Sequence, residues 1–411
     1  VQKISETSVK IPNIGVWAAP LVDELRKFRR DLHQHPELSH KEFRTTGKLV
    51  ERLRAAGLKP QELEGTGLFV DVGGGPVVIG RGADIDALPI LEDTGLDYES
   101  TSRGVSHACG HDIHTTVMLG VALVLRELDI GGELDGRVRV IFQPAEGTMP
   151  GGALALIEQG VLEEVPRILA LHCDPRIDAG TVGTRIGAIT SAPDTIRIEL
   201  NGRGGHTSGP HLTEDLVFAR AQIAVNVPAV ISRRIDVRSA VSIVWGQIQA
   251  GAAPNAIPAR GVMAGTMRCL DAGAWHAAGE LVDEVVQQVA APYGVDGKLE
   301  HIRGVPPVVN TERETGLIEA AARLELGADA VTLTPQSMGG EDFAWMTELV
   351  PGAMMRLGTR TPGGETFDLH RGDYAPDEQA TGVGVRVMAA AAMLALRAAA
   401  GRPEEARPHA S

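Results

Sequence analysis

Residues 106–114 read SHACGHDIH and bring Cys109, His111 and His114, with Asp112, into one short stretch. Thiolate and imidazole are borderline-soft donors that suit Zn, Mn, Co or Ni far better than Ca or Mg. The stretch opens a helical pattern, HTTVMLGVALVLRELD. A helix N-terminus lowers a thiol pKa, which favours the metal-binding thiolate. The other reading is a His-rich surface loop, and the clustering favours a metal site over it.

Three further groups sit at the ends of apolar, strand-like runs: Glu146 after VRVIFQ, His172 closing RILALH and His370 closing TFDLH. Asp84 and Asp86 follow the run PVVIG in the same way. Ligands of open α/β sheets collect at the carboxyl ends of strands. A carboxylate there can hold the second nitrogen of a ligand histidine and fix its tautomer. Either aspartate alone reads equally well as a turn former, and one histidine at a strand end is an ordinary structural residue. Together with the Cys/His cluster, they make the arrangement a metal centre requires. Cys173 is a soft donor too, but neighbouring strand residues point oppositely, so only one of His172 and Cys173 faces the site. His33 and His35 read as packing or capping residues of the first helix, and His107 and His114 as supports. Asp112 reads as orienting a ligand. Glu341 and Asp342 either line the site or cap a helix.

The elements that must position these groups follow from periodicity. Residues 19–56 carry apolar positions three or four apart, a helical pattern stopped by Gly57. Strand-like runs then alternate with helical ones, which predicts an α/β fold with a mostly parallel, mixed sheet flanked by helices. From Ile189 the pattern becomes βαββαβ, a split βαβ (ferredoxin-like) α+β sandwich. The expected organisation is a discontinuous catalytic domain, 17–188 and 304–400, with an inserted domain at 189–303. Residues 1–16 and 401–411 are expected to be flexible termini.

Composition narrows the class. The 411 residues include 53 acidic and 39 basic ones, a net charge of −14 without a long basic run, so no nucleic-acid partner is expected. No apolar stretch near 20 residues is apparent, so no membrane partner is expected either. Three cysteines do not form a disulfide framework, and a reducing, cytoplasmic setting is the default.

RRDLHQHPELS, RGADIDALPI, HACGHDIH, FQPAE, ALH, GRGGHTSGPH, APNAIPA, GGEDF and the late LH, in this order, resemble metal-dependent N-acyl-amino-acid amidohydrolases. Hippurate and auxin-conjugate hydrolases belong to that group. The resemblance runs from about Ala19 to Leu396, and HACGHDIH with FQPAE is its specific part. It implies two divalent transition-metal ions (Zn, Mn, Co or Ni) held by Cys109, His111, His172 and His370, with Glu146 as general acid/base. It implies a homodimer through the inserted domain, acting also as a lid, with His206 reaching into the partner's site. Asn255 and Arg268 would be substrate contacts, Arg268 to a carboxylate. Asp86 and Asp112 would support the ligands. Without the resemblance, His206 reads as a loop histidine, Arg268 as a strand-edge charge and Asn255 as a turn residue.

The chain departs from the family pattern at one place. The usual motif is QPAEE, whose second Glu ligates metal; here that position is Gly147. Water, Asp174 or another nearby carboxylate must replace it, or nothing does. The outcomes are two metals with one weakly held, a single metal, or lost hydrolysis in a metal-poor binding homologue. An esterase or carbamate hydrolase using the same site is a further alternative.

Overall fold

A computed structural model describes residues 10–400. The chain divides into two compact units. The larger comprises 10–187, 309–335 and 345–400; the smaller comprises 188–308 and 336–344. The segment 336–344, assigned from sequence to the larger domain, packs with the smaller unit. There Ser337 donates its N–H to the Ile189 carbonyl and Ser191 Oγ donates to the Met338 carbonyl.

In the larger unit eight strands form one mixed sheet. Its middle holds four mutually parallel strands, in the order Arg137–Gln143, Val77–Asp84, Ile168–Asp178 and Gly352–Arg360. Leu68–Gly73 and Val182–Thr184 add antiparallel pairs on the two sides. The central strands are buried almost throughout, which is why they read as continuous apolar runs with little alternation.

The helix predicted over 19–56 is two helices, Val22–Gln34 and Phe43–Ala55. Pro36 cannot continue the first, and the intervening loop lets Ser39 and Glu42 turn inwards. Within the expected flexible N-terminus, residues 14–16 belong to a short helix, Ile14–Ala18, that seats Ile14 fully in the core. The remainder of that expectation, 1–9 and 401–411, lies outside the described residues. The expectation that no apolar stretch nears 20 residues is also corrected. Gln379–Ala400 is long and apolar enough to cross a membrane by length and composition, yet most of it is buried inside the protein. An all-round apolar helix is what a large core demands.

That helix packs on His111–Ile130, whose residues are nearly all buried. The contact is reciprocal: a Cβ on Gly120 would come within 2.5 Å of Val385, and one on Gly384 within 2.7 Å of Val117. Each glycine admits the β-branched side chain of the facing helix, and the pair sets the height of the helix that begins at His111.

The smaller unit has four antiparallel strands, in the order Ser242–Ala250, Arg260–Cys269, Ala192–Asn201 and Asp296–Ile302. Ala192–Asn201 alternates buried and accessible positions, as a half-covered strand must. The helices Leu216–Arg234 and Ala272–Ala290 bury Ile223, Val227, Val282 and Val286 against Ile196, Ile198 and Leu200. Asp215 and Asp271 cap these helices through the amides of Phe218 and Ala274. The chain order is the βαββαβ of a split sandwich.

Overpacking the helix contact tests its role. Gly120→Val is expected to lower unfolding stability by about 1–3 kcal/mol, measured by urea denaturation. Wild-type stability would show that the close approach is dispensable.

Candidate metal centre

The turn before His111 sets the first donors. Gly110 is in the left-handed region at φ 81°, and a Cβ there would approach Cys173 Sγ to 2.9 Å, so glycine is required on both counts. The turn leaves Cys109 just outside the helix and His111 in its first position. His172 lies on the neighbouring strand Ile168–Asp178. Donor atoms of Cys109, His111 and His172, all buried, lie within 4.8 Å of one another, with Cys109 Sγ 3.4 Å from His172 Nε2.

Both histidines have their tautomer fixed from behind. His172 Nδ1 lies 2.8 Å from the Cys173 carbonyl, which can only accept, so Nδ1 carries the proton and the Nε2 lone pair faces Cys109. His111 Nδ1 likewise donates to the Asp86 carbonyl at 2.8 Å, with Asp86 Oδ1 at 3.2 Å. Its Nε2 is buried without a well-formed hydrogen bond among the described residues. Burial alone would push the Cys109 thiol up, but the imidazoles of His172 and His111 hold it well below its ordinary value. Burial likewise opposes a charged His111, and the Cys109 sulfur and Asp86 outweigh it, raising its pKa well above the ordinary value. These neighbours favour the thiolate form that binds metal. His370, at φ 63°, donates its backbone N–H to the Ala108 carbonyl, and its ring is raised in pKa by interaction with Cys109. A thiolate and two imidazoles bonded from behind at Nδ1, one with its buried Nε2 unpartnered among the described residues, fit a divalent transition metal, whose binding would displace the proton that His111 carries without it.

Glu146 enters from the adjacent strand end. Its carboxylate Oε2 is 3.8 Å from His111 Nε2. The turn carrying it is tied down by two carboxylates. Asp86 Oδ1 accepts the Glu146 N–H at 3.2 Å, and Oδ2 accepts the Gly147 N–H at 2.9 Å and the Ser39 hydroxyl at 2.7 Å. Glu42 accepts the N–H of Ala145, itself at φ 60°, and the Thr66 hydroxyl. Asp86 thus holds a ligand histidine and the Glu146 turn together. Burial opposes its charge, but His111, Ser39 and the Gly147 amide bring its pKa down to about 2. Sequence reasoning found Asp86 and His111 but missed Ser39 and Glu42. The break at Pro36 in HPELSHKE was the available signal.

Several expectations are corrected. Asp112 orients none of the ligands: its Oδ2 accepts from Arg29 Nε at 2.7 Å and lies 2.9 Å from His33 Nδ1. One helical step from His111 turns its side chain about 100° away. His33 is no simple cap, since its ring joins buried Asp112 to Glu92. Asp174 is engaged by Arg176 through both oxygens and is not a spare carboxylate. Cys173 points to the Gly110 carbonyl, and burial pushes its thiol up, so of the two neighbours His172 faces the site.

The remaining predicted residues lie in the smaller unit. His206 and Asn255 are brought together there, His206 opposite Ala256 and Thr207 N–H donating to the Asn255 carbonyl. Both are exposed, and Ser208 hydrogen-bonds His206 Nδ1. Arg268 is half-buried and donates to the Met338 carbonyl. Glu341 accepts the Phe343 N–H.

A profile of peptidase family M20/M25/M40 matches residues 81–400. N-acetyl-L-cysteine deacetylase of Bacillus subtilis is 36% identical over 365 residues, 88% of this chain and 85% of that one. A Rhodococcus jostii relative bearing the name glutamate–cysteine ligase 2-3 is 45% identical over 370 residues; the chain spans only 46% of its length. Among solved structures, a dinuclear metal-binding M20 peptidase of Bacillus subtilis superposes with a TM-score of 0.80 at 32% identity, covering 92% of this chain and 99% of that one.

Two outcomes check the geometry. Asp86→Ala is expected to weaken metal binding about 10–100-fold and to lower kcat more than it raises KM; unchanged metal affinity by equilibrium dialysis would remove Asp86 from this role. His33 is raised to about 9, burial being outweighed by Asp112 and Glu92. Protonation therefore favours the folded chain: the contribution is full below an unfolded pKa of about 6.5 and fades as pH rises through 9. The stability gap between wild type and His33→Gln should narrow over that window in denaturant titrations, and a pH-independent gap would contradict the assignment.

Proposed function

The chain belongs to peptidase family M20/M25/M40 and is a metal-dependent hydrolase of amide bonds; on that premise we propose that it cleaves the amide of N-acyl amino acids or similar small conjugates. The observation that carries the reading is the convergence of Cys109, His111 and His172 with the Glu146 carboxylate 3.8 Å from His111 Nε2.

Cys109, His111, His172 and His370 would hold divalent metal, two ions of Zn, Mn, Co or Ni, with the second weakened by Gly147. When bound, such ions polarise a carbonyl and make water a nucleophile at neutral pH. Glu146 takes a proton from the attacking water and passes it to the leaving nitrogen. Its clamped turn holds that carboxylate in place without rearrangement during the reaction. Arg268 receives the substrate carboxylate and Asn255 its amide region.

The smaller unit serves as lid and pairing surface. Its edge strand Ser242–Ala250 is, among the described residues, paired on one side only and exposes Val244 and Ile248. His206 would reach the partner's site from a glycine-rich loop and stabilise the oxygen of the tetrahedral intermediate. The N-acetylcysteine relative supports a small acyl group.

The test is release of free amino acid from N-acetyl and N-benzoyl amino acids after loading with Mn, Co, Zn or Ni. Activity is expected with metal and not after chelation, and Glu146→Gln should cost about 10²–10⁴-fold in kcat. Glu146→Gln and His206→Ala chains, each inactive alone, should regain activity when co-refolded as mixed dimers. No turnover after reconstitution refutes the function; absence of complementation refutes the action of His206 across a dimer.

A further inference from the structure

We propose that Glu42 is a positioning residue for the general base: it holds Ala145 in left-handed backbone and thereby aims the Glu146 carboxylate. The inference rests on the hydrolytic reading of Glu146 above. Glu42 ends the loop between the helices Val22–Gln34 and Phe43–Ala55, and it is fully buried. Three donors converge on its carboxylate. Oε1 accepts the N–H of Ala145 at 2.8 Å and that of His40 at 3.0 Å, and Oε2 accepts the Thr66 hydroxyl at 2.7 Å.

The two backbone donors share an uncommon conformation. His40 is at φ 63° and Ala145 at φ 60°, a region that a Cβ disfavours and that persists only where the surroundings impose it. One carboxylate oxygen therefore supports left-handed backbone in two loops that are remote in the chain. Both backbone groups of Ala145 are fixed. Its carbonyl accepts the Gly152 N–H at 3.1 Å and the Thr148 hydroxyl at 3.2 Å. A Cβ on Gly152 would lie 2.0 Å from the Pro144 carbonyl oxygen, so the chain folds back directly on the turn. With Asp86 accepting from Glu146 and Gly147, the successive amides of residues 145–147 are each given to a buried carboxylate.

The division of labour follows from direction. Successive side chains of an extended strand point to opposite faces. The left-handed residue after the strand Arg137–Gln143 breaks that alternation, and the next carboxylate lands 3.8 Å from His111 Nε2. Asp86 secures Glu146 itself, while Glu42 secures the residue that sets its direction. The loop bearing Glu42 is tied down in turn. Its Glu37 carbonyl accepts the Ala87 N–H at 2.7 Å, and the Glu37 carboxylate accepts the N–H groups of Arg44 at 2.9 Å and Thr45 at 2.8 Å. Glu42 bonds the turn, its own loop and Thr66, so its loss should disturb the aim of Glu146 and leave the Cys109 donors in place.

The experiment compares kcat and KM on N-acetyl amino acids, and bound cobalt, for the full chain and its Glu42 variants. Amide exchange of residues 143–149 is followed in the same samples by mass spectrometry. Glutamine keeps an oxygen for the two N–H groups, so Glu42→Gln is expected to hold kcat within about threefold. Glu42→Ala is expected to lose about 10–100-fold in kcat, with KM and bound cobalt near wild type. Glycine takes left-handed backbone without the Cβ penalty, so Glu42→Ala/Ala145→Gly should recover at least about threefold in kcat. Lost stability alone would not be repaired in kcat by that glycine. Wild-type kcat in Glu42→Ala, a loss matched by lost cobalt, or no recovery with glycine overturns the proposal. Should Glu42→Ala not fold, Glu42→Asp, one carbon shorter, carries the same expected loss and recovery. If metal-loaded wild type does not hydrolyse these substrates, the reading of Glu146 fails by itself. Glu42 is then judged on exchange: faster exchange at 145–147 in the variant supports it, and unchanged protection overturns it.

Discussion

The centre depends on one buried carboxylate. Asp86 bonds the back of the His111 imidazole and the successive amides of Glu146 and Gly147, with Ser39 as a further donor. Two strand ends far apart in sequence are thereby held in register by a single group. An ionised carboxylate is costly to bury unless its lone pairs are satisfied. Asp86 meets that condition through the groups it positions, so its satisfaction and the geometry of the site are one arrangement.

Behind it lies a layered support. The parallel strands bring His172, Asp84 and the Glu146 turn to the same end of the sheet, where backbone groups are open to ligands. The helix His111–Ile130 enters from one face, its height fixed by glycine-to-valine contacts with Gln379–Ala400. Arg29, His33 and Asp112 form a buried charged network next to His111 that ties the helix Val22–Gln34 to this helix. Their hydrogen bonds run to one another and fix where that helix begins. Glycine at 147 then changes the composition of the centre without changing its frame, because that residue's structural duty is carried by its N–H.

Much of this was legible in the residues. The Cys/His cluster, the strand-end Glu146 and His172, and the βαββαβ pattern are local, periodic signals, and each survives in the fold. Asp112 was misread because proximity in sequence says little about direction on a helix: one step rotates the side chain away from the site. Ser39 and Glu42 were missed because their partners, Asp86 and Ala145, are remote in the chain. The apolar length of Gln379–Ala400 was overlooked since alanine, its main component, reads as neutral until a neighbouring helix covers it.

Sequence by itself determined the donor chemistry, the strand and helix periods, and the absence of a carboxylate at position 147, since these are properties of residue type and spacing. Only the tertiary structure decided which lone pairs are available. Tautomers are set by whichever carbonyl, amide or carboxylate stands behind each ring, and those partners come from other strands. That is why His111 and His172, each bonded at Nδ1 from behind, turn Nε2 toward the cluster, and why His114, whose Nε2 accepts the Cys173 N–H, does not.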